Sequence, residues 1–272
     1  MSRHVFIEST VRGFTRALSK ALVSERTSSQ PGLLQTFDPR VRVVGLLALV
    51  LAVVICRRPT VIASLFLVSV LLAIASRVSV GLLAKRVWLI IFGFTGLIAV
   101  PALFLTPGKP VFTLSALALS ISAQGIRIAG LLILRVETTV TLTTVLVLCT
   151  PWPRLLKALR SLHVPVEIVT MLAMTHRYIF LLIETANQMF ESRQSRMVGE
   201  LNGPEQRRMA ARTAGVLLSK SIDLSQEVYI AMLSRGFCGD IRLLTDFRMR
   251  LGDYAGLTVF IFISCAAVWM GR

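Results

Sequence analysis

Apolar runs and short polar breaks alternate along most of the chain. Val41 to Cys56 is apolar but for Arg42. Thr60 to Ser76, Val87 to Thr106, Ile126 to Leu148 and finally Tyr254 to Met270 repeat the pattern. Each comes close to the roughly 20 residues that a helix needs to cross a bilayer. Asp38-Pro39-Arg40, Arg57-Arg58-Pro59 and Pro107-Gly108-Lys109-Pro110 mark the turns between them. Val111 to Ser122 is apolar but too short to span, and reads as an interfacial segment. The expectation is an all-α polytopic membrane protein with about five transmembrane helices.

The pattern changes after Thr150-Pro-Trp-Pro153. Arg154 to Leu162 is a short amphipathic helix, with leucines on one side and Arg154, Lys157 and Arg160 on the other. A long helix starts at Pro165 and runs to about Val198. Another runs from Pro204, a favoured first helical position for proline, to Arg235. In it Leu217, Ser221, Leu224, Val228 and Ala231 follow a 4-3-4-3 spacing that makes one apolar seam. The chain therefore divides into an N-terminal arm (1–40), four spans (41–149), a module of long amphipathic helices (150–252) and a last span (253–272).

The two long helices end alike. Arg193, Ser195 and Arg196 precede Gly199, and Ser234-Arg235-Gly236 closes the second. A cation in a last turn complements the helix dipole, and glycine is the usual left-handed stop. That explanation needs no partner. A guanidinium fork also suits a carboxylate-lined groove, because it bonds bidentately and never deprotonates. Capping and docking both remain open on the residues alone.

Composition sharpens the membrane assignment. Hydrophobic residues make up 54% of the 272 and charged residues only 16%, against about 25% charged in an ordinary soluble domain. Mean hydropathy is +0.73. The formal net charge of +16 is then first a topology signal and an attraction to anionic lipid. No motif supports nucleic acid as a partner. Fourteen Lys and Arg fall between Thr150 and Asp253, whereas the loop after the third span has one, Lys109. The positive-inside rule thus puts the 150–252 module and the N-terminal arm in the cytoplasm, and the C-terminus outside. Arg57-Arg58 falls outside and is the misfit. Val166 to Ile183 must then lie along the membrane face, with a sixth span as the alternative.

The chain lacks a phosphate-cradling glycine loop, a nucleophile elbow and a zinc helix motif, so no enzyme activity and no cofactor are expected. Cys56, Cys149, Cys238 and Cys265 are scattered, as are His4, His163 and His176, and no metal site is expected. The fourth span carries Arg127, Arg135 and Glu137. Intramembrane ions are costly and face a partner or a cavity. Arg135 and Glu137 stand two apart and do not share a helix face. They either pair with neighbouring helices or line a solute path.

Phe37-Asp38-Pro39-Arg40, Glu227-Val-Tyr-Ile-Ala-Met-Leu-Ser-Arg-Gly-Phe237 and Gly239-Asp-Ile-Arg-Leu-Leu244 resemble the transmembrane (T) component of energy-coupling factor (ECF) transporters, in its CbiQ-like cobalt and nickel type. The likeness covers roughly Thr36 to the end. The family's two Ala-Arg-Gly-like triplets fall on Ser195-Arg196-Met197, which departs at two positions, and on Ser234-Arg235-Gly236, with Ser for Ala. The resemblance implies a four-part importer in the cytoplasmic membrane of a prokaryote. Two ABC ATPase subunits would bind the arginine tips, a separate substrate-capture (S) subunit would hold the solute, and this chain would couple them. The alternative is a scaffold or permease that moves a solute through its own bundle, past Arg135 and Glu137.

Overall fold

The computed structural model describes residues 32–78, 80–105, 110–114, 119–196, 203–239, 249 and 251–272. Most of the N-terminal arm, Gly199 and the stretch after Gly239 lie outside them. After a short turn α1 (Leu33–Thr36) come α2 (Pro39–Ile55) and α3 (Pro59–Ala75). The next helix is α4 (Val80–Leu83), continued by a π-helical turn (Ala84–Trp88) and α5 (Leu89–Leu105). A hairpin of β1 (Pro110–Leu114) and β2 (Leu119–Ser122) leads into α6 (Ala123–Cys149). The remaining helices are α7 (Trp152–Ser161), α8 (Val166–Arg196), α9 (Gly203–Ser234) and α10 (Leu251–Gly271).

The protein is an all-α membrane protein apart from that hairpin. The segment read as interfacial from its length folds back antiparallel, with Phe112 opposite Ile121 and Thr113 opposite Ser120. Its β-branched and aromatic residues favour a strand where there is too little length for a spanning helix. α6, α8 (over Val166–Arg193) and α10 are long and apolar enough to cross a membrane, while α3 and Leu89–Pro101 are shorter apolar helices. Leu89, Phe94 and Leu97 on α5 are about 70% exposed. Large apolar side chains left this open suit a lipid-facing surface, where water would penalise them.

The chain divides into two compact units, one of residues 27–158 and 247–272, the other of residues 1–26 and 159–246. In the first, α2 is central and buries residues on several faces, among them Val41, Val43, Leu46, Leu49 and Val53. It packs most closely on α10. Gly45 lies under the Phe260 ring and Gly256 under the Phe37 ring. A Cβ on either glycine would come within 2.7 Å of those ring atoms. Small residues thus let the backbones approach closely, the packing device favoured between helices in lipid. Trp88, in the π-helical turn, stacks tilted on Phe66 of α3 at 5.4 Å and donates to Thr141 Oγ1 of α6 at 3.0 Å.

The polar residues before the first span have a structural task that hydropathy hides. Asp38 caps α2 by accepting from the Arg40 N–H at 2.9 Å, with Pro39 in the first helical position. The Asp38 N–H itself donates to Asp253 Oδ1 at 2.8 Å, tying the start of α2 to the start of α10. Arg42 is only 1% exposed. It is not the interfacial anchor that its position at a span entry suggests. Its guanidinium donates to the carbonyls of Phe37 (2.9 and 2.7 Å), Gln35 (3.1 Å) and Cys149 (2.6 Å). A forked side chain with five donors can gather that many carbonyls, whereas an ammonium cannot.

Three helices end in the same hydrogen-bonded stop. The Val78, Val164 and Phe237 N–H groups reach back five residues to the carbonyls of Ala73, Leu159 and Met232. The residue before each is left-handed: Arg77 at φ 55°, His163 at φ 66° and Gly236 at φ 79°. This is the Schellman geometry that satisfies otherwise orphaned carbonyls. Glycine adopts it freely, and an L side chain gives up about 1–2 kcal/mol. His163→Gly is therefore expected to raise the apparent melting temperature of the purified chain and Gly236→Ala to lower it, each by the equivalent of about 1 kcal/mol. Shifts of the same sign for both would refute this account.

Candidate coupling site

The second unit holds α8 and α9. One face of α8 is withdrawn from solvent, with Val169, Ala186 and Phe190 buried and Ala173, His176, Phe180 and Ile183 half-buried. His176 meets Phe180 edge-on at 5.1 Å. With His163 at a helix stop, the two histidines have separate structural places. No group of three metal-ligating side chains occurs among the described residues.

On α9 the less exposed face runs through Thr213, Leu217, Ser221, Leu224, Val228 and Met232. It follows the expected seam except at its end, where Ala231 is exposed and Met232 takes its place. A second apolar stripe is fully open. Leu218 (64%), Ile222, Tyr229 and Leu233 recur at 4-7-4 spacing, about a third of a turn round the helix from the seam. Lys220, Asp223 and Glu227 interleave with the stripe along the sequence and hide it there, although it follows the 3.6-residue repeat of a helix.

The arginines terminate these helices. Arg196 is exposed in the last turn of α8, Ser195 is exposed beside it, and Arg193 is half-buried. Ser195 Oγ donates to the Ser192 carbonyl at 2.9 Å and Ser234 Oγ to the Ile230 carbonyl at 3.0 Å, so both hydroxyl protons serve their own helices. Ser234 closes α9. Arg235 stands one residue past it rather than within its final turn, exposed and just ahead of left-handed Gly236. Neither Arg196 nor Arg235 meets a carboxylate among the described residues.

The two tips cannot lie together. α9 has 32 residues, about 48 Å of helix. The seven steps from Arg196 to Gly203 reach at most about 25 Å. Arg196 and Arg235 are therefore at least about 20 Å apart if α9 is straight. They present two guanidiniums to two places rather than one paired site.

Among known proteins, the cobalt transport protein family named CbiQ matches residues 32–245. The chain belongs to that family. It is accordingly a multi-pass membrane protein of a transport family. It is 30% identical, over 97% of its length and 92% of the relative's, to an uncharacterized protein of Methanocaldococcus jannaschii. It is 26% identical to the cobalt transport protein CbiQ of Rhodobacter capsulatus, over 53% of this chain and 60% of that one. The family match, over residues 32–245, takes in α1 to α9 and so both tips.

The charged residues of α6 are not brought together. Arg135 Nη2 donates to the Cys56 carbonyl at 2.6 Å. Glu137, 7% exposed, has no hydrogen-bond partner for either carboxyl oxygen among the described residues. Arg135 thus pairs with the backbone at the end of α2, and among the described residues neither it nor Glu137 is ion-paired.

Proposed function

We propose that this chain is the T component of an ECF-type importer for cobalt or nickel. It would transmit ATP-driven closure of two cytoplasmic ABC ATPase subunits to a membrane subunit that captures the substrate. The observation that carries this is the pair of exposed arginines at the ends of two long helices, too far apart for one site and without a carboxylate partner among the described residues. One chain with two separated cationic tips suits two copies of an ATPase. Hydrolysis belongs to those partners. The open stripe Leu218–Ile222–Tyr229–Leu233 leads toward Arg235 and offers an apolar flank for a partner. Cobalt rests on the family's description, and nickel rests on the resemblance alone.

Cys238 supplies a native reporter. It is exposed three residues beyond Arg235, whereas Cys56 and Cys149 are buried. In a Cys265→Ser background, a membrane-impermeant maleimide is expected to label Cys238 in inverted vesicles and not in right-side-out ones. Adding the cognate ATPase subunits should slow that labelling several-fold. Labelling from the outer face, or a rate indifferent to the ATPases, would rule the assignment out.

A further inference from the structure

The misfit pair Arg57-Arg58 belongs to a cluster. Around Cys56, where α2 turns into α3, three contacts converge. The Arg57 N–H donates to the Gly271 carbonyl at 2.9 Å. Cys56 Sγ donates to the Ala267 carbonyl at 3.2 Å. Arg135 Nη2 reaches the Cys56 carbonyl at 2.6 Å. These bonds gather Arg57, Arg58, Arg135 and Arg272 at one end of the bundle. Arg57, Arg58 and Arg272 are exposed, and the Nε of Arg135 is buried without an acceptor among the described residues.

Among the described residues no acidic side chain is paired with this cluster. No Asp or Glu stands between Asp38 and Glu137 in the sequence. Glu137 is two residues from Arg135 and so on another face of α6. From the same end an open groove of about 390 Å³ runs between α2 and α10, lined by Leu51, Ile55, Cys265, Val268, Trp269 and Arg272 among others. Leu51 is 62% and Trp269 86% exposed along it.

We propose that this end of the bundle binds an anionic phospholipid, its phosphate held by the arginine cluster and an acyl chain lying in the α2–α10 groove. The charge complementarity selects this occupant. Guanidinium forks bond phosphate oxygens bidentately, and four of them with no acidic side-chain partner among the described residues suit an anion supplied from outside the chain. An amphiphile meets both halves of the site, the cationic rim and the apolar furrow. Basic residues on the face where the charge count disfavours them then have a reason to be there. The proposal does not depend on the coupling role.

Trp269 reports on the groove. The full chain is reconstituted in phosphatidylcholine vesicles containing either brominated phosphatidylglycerol or brominated phosphatidylcholine at equal mole fraction. The Trp269 signal is taken as the difference from the Trp269→Phe variant. Brominated phosphatidylglycerol is expected to quench it at a several-fold lower mole fraction than the zwitterionic lipid, and added salt should narrow the gap. The triple variant Arg57→Gln, Arg58→Gln, Arg272→Gln, confined to exposed side chains, should quench equally with both. Equal quenching by the two lipids in the unmodified chain would mean only annular contact and would overturn the proposal. So would selectivity that survives the triple variant, or a Trp269 that neither lipid quenches because a protein partner fills the groove.

Discussion

A chain carrying both Arg196→Ala and Arg235→Ala is expected to insert and fold normally yet purify without its ATPase subunits, and to support no uptake. Each guanidinium is exposed at a helix end and meets no carboxylate among the described residues, so removing it takes little from the fold. Its proposed partner is a carboxylate-lined groove. Truncating one member of a buried, hydrogen-bonded charge pair costs about 3–5 kcal/mol, because the stranded charge stays buried. That is a loss of two to three decades or more in affinity for each tip. The separation of at least about 20 Å makes the tips independent, so the single variants should each weaken assembly and the double variant should abolish it. Arg→Lys should restore only part, since an ammonium is a point charge and not a fork. Normal complex yield and normal uptake from the double Ala variant would reduce both arginines to helix-end residues.

The largest effect on the fold itself is expected at Arg42. Arg42→Ala removes the donors for three buried or half-buried carbonyls, those of Gln35, Phe37 and Cys149. A hydrogen bond to a charged group is worth about 1.5–3 kcal/mol, and an orphaned carbonyl adds its own desolvation cost. The total is on the order of 3–5 kcal/mol, a large share of an ordinary folding margin. Cys149 gives the readout, being wholly buried at the end of α6. In a background with Cys56, Cys238 and Cys265 replaced by serine or alanine, Cys149 labelling by maleimide should accelerate about a hundredfold or more in the Arg42→Ala chain. Arg42→Lys should fall between, because it can reach only some of these acceptors. Labelling as slow as in the parent would show that the guanidinium network adds little to holding this end of the bundle closed.

The two effects differ in how far the sequence announced them. Arg196 and Arg235 stand out by position, each at the end of a long amphipathic pattern with a glycine close behind. Arg42 gives no such sign, because a lone arginine at the start of an apolar run looks like any interfacial anchor. Its role depends on carbonyls five residues before it and 107 residues after it. Asp253 is equally silent, and it bonds a backbone N–H 215 residues away.

The linear pattern by itself determined the membrane class, the long helices and their approximate limits, and the arginine endings. Those properties follow from periodicity and local backbone chemistry, which act over a few residues. Tertiary structure alone decided that α2 is central, that Gly45 and Gly256 admit Phe260 and Phe37, and that Arg135 turns to the Cys56 carbonyl and leaves Glu137 unpaired. It also decided that Arg57-Arg58 is part of a four-arginine cluster. Each of these depends on which distant backbone carbonyl or ring comes within about 3–4 Å, and in a helical bundle no local rule fixes that distance.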